Sequence, residues 1–136
     1  MMRADEVRQR TGVPEAVARG LRGRCPACGR GRLFGRFLKV VDTCEACGTA
    51  MHHHRADDMP PYLVIFLVGH VVGWGIYMTE MKSTVTVPIW VHATVWPSLV
   101  VIMSLALIQP MKGAVVGLQY ALGMHGFGAE PGRTGE

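Results

Sequence analysis

The first sixty residues of this 136-residue chain contain no long apolar run. The opening MMRADEVRQRTGVPE has none of the hydrophobic stretch of a secretory signal, so no cleaved leader is expected. Charge is scarce, at 18% of residues against 49% hydrophobic, a balance that fits a small membrane protein with a polar appendage better than a globular enzyme. Catalytic signatures are missing as well. There is no nucleophile with a nearby base, no H-E-x-x-H helix and no phosphate-binding glycine loop, although the chain has 17 glycines. A protein without enzymatic activity or small-molecule substrate is expected. Cysteine is limited to four residues, and a chain this short cannot build a large soluble core, so any head outside the apolar runs must be stapled or lean on something.

What is present is dominated by two apolar runs, PYLVIFLVGHVVGWGIYMT and IWVHATVWPSLVVIMSLALIQ, joined by the polar link EMKSTVTVP. Each is close to the roughly 20 residues that cross a ~30 Å hydrocarbon core at ~1.5 Å per residue. The pattern predicts a transmembrane hairpin. Of the fourteen Lys and Arg residues, eleven precede the first run, Lys82 alone lies in the link, and Lys112 and Arg133 follow the second. By the positive-inside rule both termini are expected in the cytoplasm. The net charge of +4 could suit nucleic acid, but the basic residues crowd the membrane-proximal head, where anionic lipid and topology selection account for them.

The most specific local signal is Cys25-Pro-Ala-Cys28-Gly29 followed by Cys44-Glu-Ala-Cys47-Gly48. Two C-x2-C pairs at this separation match a four-thiolate metal site. The glycine after each second cysteine allows a positive φ, so that backbone N–H groups can turn toward the sulfurs. Leu33, Phe34, Phe37, Leu38, Val40 and Val41 between the pairs suit a short β-hairpin, with Gly31 and Gly35 as turn candidates. The reading is a zinc ribbon holding one structural zinc per chain. A rubredoxin-like iron site shares the same knuckles, and disulfides are disfavoured in a reducing cytoplasm. A closed four-thiolate site leaves no open position for catalysis.

Upstream of the ribbon, Val7, Val17 and Leu21 form a thin apolar stripe interrupted by Gly12-Val13-Pro14, which predicts one or two loosely docked turns. Downstream, His52, His53 and His54 point in different directions on any regular backbone and read as a polar segment. Arg55, Asp57 and Asp58 suggest an ion-paired collar or docking surface ahead of Pro60-Pro61. His70 is ionisable at mid-span, a functional-site hypothesis by default. With the link centred near Thr84, it lies level with Ser98, whose hydroxyl is the expected partner. Met78, Met81 and His92 fall at similar depth at the far end and are thioether and imidazole donors suited to copper(I), although packing is the plainer reading. Pro97 is expected to kink the second span. The segment from Met111 to Phe127 is apolar but short for a crossing. Its Gly113, Gly117 and Ala121 recur every fourth residue, a stripe that lets another helix approach closely, and an interfacial helix docked on a partner is expected.

Taken together, CPACGRGRLFGRFLKVVDTCEACG, then HHRADDMPPYLVIFLVGH, then QPMKGAVVGLQYALGMHGF resemble the bacterial membrane-protein family named domain of unknown function 983. The resemblance covers roughly 22–127. It carries over the four cysteines, His53, His54, Arg55, Asp57, Asp58, Pro60, Pro61, His70, Pro110, Lys112, Gly113 and His125 as positions, without roles. Through the usual gene setting of that family, it implies a place in the bacterial inner membrane beside respiratory haem–copper cytochrome oxidase subunits and their assembly factors.

The expected protein is therefore a mainly α membrane protein: a two-helix transmembrane hairpin (60–109) with an N-terminal cytoplasmic zinc ribbon and collar (23–58). A short helical segment (1–22), a C-terminal amphipathic interfacial helix (110–127) and a disordered tail (128–136) complete it. Its expected role is a non-catalytic accessory subunit or assembly factor of the oxidase. The alternatives are a haem- or copper-handling protein, using His70 or Met78, Met81 and His92, and a membrane-tethered ribbon binding nucleic acid or protein through Arg30, Arg32 and Arg36. The preferred partners are membrane lipid and oxidase subunits, not nucleic acid.

Overall fold

Helix α1 (Val13–Leu21) opens at Gly12 with a proline in its first turn, where a missing N–H costs nothing and φ is already helical. It closes with the N–H groups of Gly23 and Arg24 bonded to the carbonyls of Gly20 and Arg19. Strands β1 (Phe34–Arg36) and β2 (Lys39–Val40) form an antiparallel pair. Two long helices follow, α2 (Met59–Lys82) and α3 (Ile89–Leu122). This computed structural model describes Glu6, 10–52 and 59–124. It is mostly helical, with two long apolar helices, a two-stranded sheet and a cysteine cluster in its N-terminal part.

The chain divides into two compact units, one of 1–57 with 109–136 and one of 58–108. In the first unit the ribbon alone does not make the core. Leu33, Phe34, Val40 and Met51 from the ribbon and Ala16 from α1 cluster with Val115, Val116 and Tyr120 from the end of α3. Residues 110–122 thus continue the second apolar helix without a break and wall the ribbon's interior. Met51, read from sequence as part of a polar connection, is fully buried.

The first helix differs from its expected loose turns. Val13 and Leu21 are exposed, and α1 instead buries Ala16 and Gly20. These two face Gly117 and Gly113: a Cβ added to Gly20 would overlap the Gly113 carbonyl, one on Gly113 would overlap the Gly20 carbonyl, and one on Gly117 the Ala16 carbonyl. Backbone lies on backbone, which is what small residues at i and i+4 on both helices permit. The stripe at Gly113 and Gly117 is covered by the chain's own helix, and Ala121 packs at the edge of the same core.

In the second unit α2 and the first part of α3 are joined by 83–88. A stripe of Val64, Val68 and Val72 is buried, and the Trp96 ring is laid against Gly75, where an added Cβ would lie 2.9 Å from it. Most other apolar side chains are bare, including Ile65, Phe66, Val101 and Ile102. Both helices are long and apolar enough to cross a membrane. An apolar surface this extensive is not sustained in water by a monomer, and in hydrocarbon it is the expected exterior.

The backbone approach yields a paired outcome. Gly113→Ala should force α1 and α3 apart and destabilise the first unit by about 1–3 kcal/mol. Gly69→Ala, with nothing within 4 Å of the new methyl, should be neutral or stabilising by roughly 0.5–1 kcal/mol. Thermal unfolding of both variants in the same detergent checks the contrast.

Candidate metal centre

Each C-x2-C segment is folded as the same small turn. Gly29 N–H bonds to Cys25 O at 2.8 Å and Gly48 N–H to Cys44 O at 2.9 Å, with both glycines at positive φ, 69° and 72°. The flanking chain is pinned in parallel fashion, Cys25 N–H to Gly31 O at 2.9 Å and Cys44 N–H to Thr49 O at 3.0 Å. The turns are therefore closed by their own backbone, and the sulfurs are free to converge.

They do converge. Cys25 Sγ lies 3.7 Å from Cys47 Sγ, Cys28 Sγ lies 3.8 Å from Cys44 Sγ, and all four sulfurs are within 4.8 Å of one another. A disulfide needs ~2.05 Å, so none of these pairs is one. A tetrahedron with metal–sulfur bonds of ~2.3 Å has sulfur–sulfur edges of about 3.8 Å. The donor set and its spacing fit a metal ion, and four thiolates suit zinc.

Three features of the setting were not read from the sequence. Gly31 lies at a bend, and it has a second role: a Cβ there would run into Cys44 Sγ, so its smallness lets the second knuckle's sulfur reach the first. Gly35 lies in β1 at a register shift, and the hairpin turns instead at Phe37-Leu38. Arg19 of α1 donates from its guanidinium to Pro26 O (3.1 Å) and Ala27 O (2.9 Å), inside the first knuckle, while pairing with Glu15. Charge-assisted bonds to backbone carbonyls tie the helix to the metal loop.

Burial sets the thiol chemistry. It pushes Cys25 far above the ordinary thiol range, against the N–H groups of Cys28 and Ala27 that favour the thiolate. Cys47 is raised for the same reason, with Thr49 opposing. Burial opposes ionisation of Cys28 too, but the N–H groups of Gly31 and Arg30 and the adjacent thiols bring it down to about 7. Cys25 and Cys47 therefore hold protons at neutral pH until a metal displaces them.

The other sequence candidates are scattered. His53, His54, Arg55, Asp57, Asp58 and His125 lie outside the described residues. Glu80–His92 and Gly75–Trp96 face each other across the hairpin, a register set by the connection 83–88, which is shorter than the polar link and centred later in the chain. It places His70 level with Val101 or Ile102, not with Ser98, whose hydroxyl bonds Thr94 O in its own helix at 2.7 Å. His70 Nδ1 is 2.7 Å from Phe66 O. His92 is engaged at both ring nitrogens, Nε2 with Glu80 at 3.0 Å and Nδ1 accepting from the Trp96 indole at 2.9 Å. Both His92 nitrogens are thus engaged by Glu80 and Trp96, and no hydrogen bond joins His92 to Met78 or Met81 among the described residues.

One family model, described as "Protein of unknown function (DUF983)", matches 34–120, taking in the hairpin of the ribbon, the second knuckle and α2, and α3 as far as Tyr120. No curated protein and no solved structure matches.

Because Cys25, Cys47 and, below neutral pH, Cys28 must each lose a proton on binding, zinc affinity should fall by at least about a thousandfold per pH unit as pH drops below neutral. Competition titration against a chelator at several pH values measures that slope.

Proposed function

From a chain that belongs to the DUF983 family of proteins of unknown function, we infer a membrane-anchored, non-catalytic adaptor whose zinc-stapled head presents a binding face at the cytoplasmic surface. The observation that carries this reading is the closed four-sulfur cluster built into the same core as the end of α3. Such a site supplies rigidity without an open coordination position, and rigidity joined to a membrane helix is what a docking protein uses. The excess of Lys and Arg before the first apolar helix supports cytoplasmic termini. In a bacterial cell the membrane is then the inner one. The partner we favour is a respiratory haem–copper cytochrome oxidase, as an accessory subunit or an assembly factor, which rests on the family resemblance and its gene setting rather than on geometry.

A second reading, haem handling, is favoured by one observation. A carbonyl only accepts, so the contact of His70 Nδ1 with Phe66 O puts the ring proton on Nδ1 and leaves the Nε2 lone pair, the usual ligand to iron. Phe66, Gly69, Gly73 and Trp74 line the open apolar groove beside it.

Purification of the tagged chain from its native membrane in mild detergent, with mass spectrometry, elemental analysis and an optical haem spectrum, separates these readings. Oxidase subunits together with one zinc per chain are expected. A chain that purifies alone with zinc would rule out a stable subunit, and a haem spectrum abolished by His70→Ala would favour the second reading.

A further inference from the structure

Two cross-strand pairs in the first knuckle and hairpin join like charges. Arg36 and Lys39 are register partners in the β1–β2 pair, and Arg24 bridges to Arg32. Cations placed directly opposite one another weaken a strand pair, and among the described residues no acidic side chain forms an ion pair with these four. Between Glu15 and Asp42 the sequence has seven Lys and Arg residues and no acidic residue. Arg30, Arg32, Arg36 and Lys39 are exposed and form no ion pair among the described residues. At the turn between Arg36 and Lys39, Phe37 is 54% exposed. Beside it, Gly35, Arg36, Lys39 and Val40 line a depression of about 340 Å³, with Asp42 as its one acidic lining residue.

We propose that this basic hairpin is a docking surface for the anionic phospholipid headgroups of the membrane that holds α2 and α3, with Phe37 seated at the interface. The inference rests on the membrane placement above. Charge complementarity carries it: unrelieved cations on paired strands need anions, and a cytoplasmic leaflet supplies them as a continuous surface. Reach agrees. Six residues separate His52 from Met59, a length of at most ~25 Å from one to the other, so the head is held where headgroups are the most concentrated anion. A cation–aromatic–cation turn combines lipid attraction with burial of one ring in the interfacial layer, as peripheral membrane anchors do.

The test uses the full chain reconstituted into bilayers of phosphatidylcholine alone or mixed with phosphatidylglycerol. Flotation reports insertion, elemental zinc reports the folded head, and hydrogen exchange is followed at the amides of 33–41. Exchange about tenfold slower in the anionic bilayer is expected. The variant R32Q/R36Q/K39Q should lose that difference and F37S should reduce it, with flotation and zinc content unchanged. Equal exchange in the two bilayers, with flotation and zinc intact, overturns the proposal and leaves the membrane placement standing. Failure to float overturns both. Binding of a fluorescent single-stranded RNA that is independent of lipid and abolished in the triple variant would assign the surface to nucleic acid and overturn it too.

Discussion

Four sulfur atoms brought within 4.8 Å of one another are the constraint on which the head depends. The buried residues around them are few, and strands of three and two residues cannot hold a fold by hydrogen bonding alone. The knuckles hold their shape by backbone bonds, the metal would hold the knuckles together, and the knuckles in turn fix Leu33, Phe34 and Met51 as one side of a core. The other side is the end of α3. Tetrahedral coordination by the four cysteines would therefore support apolar burial and be supported by it, and Arg19 adds a third tie by reaching from α1 to the carbonyls of the first knuckle.

The second unit follows the opposite solvent rule. Its helices bury a narrow stripe and expose most of their apolar side chains, a costly surface in water and a suitable one in lipid. Its polar groups are satisfied locally: Thr79, Thr94 and Ser98 return their hydroxyls to carbonyls of their own helices. At the hairpin tip, Glu80, His92 and Trp96 are linked in one chain of hydrogen bonds. The tip is thereby closed by polar bonds and by an aromatic ring on a glycine.

Much of this was legible from residue type and spacing. Cysteine pairs two residues apart followed by glycine, and two apolar runs of membrane length, encode their geometry locally, and they reappear as the knuckles and long helices. The packing of α1 was not legible in the same way. Val7, Val17 and Leu21 were the visible apolar points, whereas the contact is made by Ala16 and Gly20, whose signal is the absence of a side chain and becomes meaningful only beside Gly113 and Gly117. Gly31 was hidden for the same reason. The hairpin register was displaced because α2 runs on through Glu80 to Lys82, so the connection is shorter than the polar link and centred later in the chain, and that displacement moved Ser98 away from His70 and brought His92 to Glu80. Met51 looked polar by its company of histidines, but its neighbours in space are the ribbon's apolar residues.

The central claim is that metal coordination holds the ribbon, α1 and the end of α3 together as one folded head. Hydrogen exchange of the full chain before and after zinc removal by a chelator tests it most directly. The account predicts that amides of 14–21 and 113–121 lose protection together with the knuckles, while those of 64–78 are unaffected. Protection of 113–121 that survives complete zinc removal would contradict it, because the end of α3 would then be held by something other than the four cysteines.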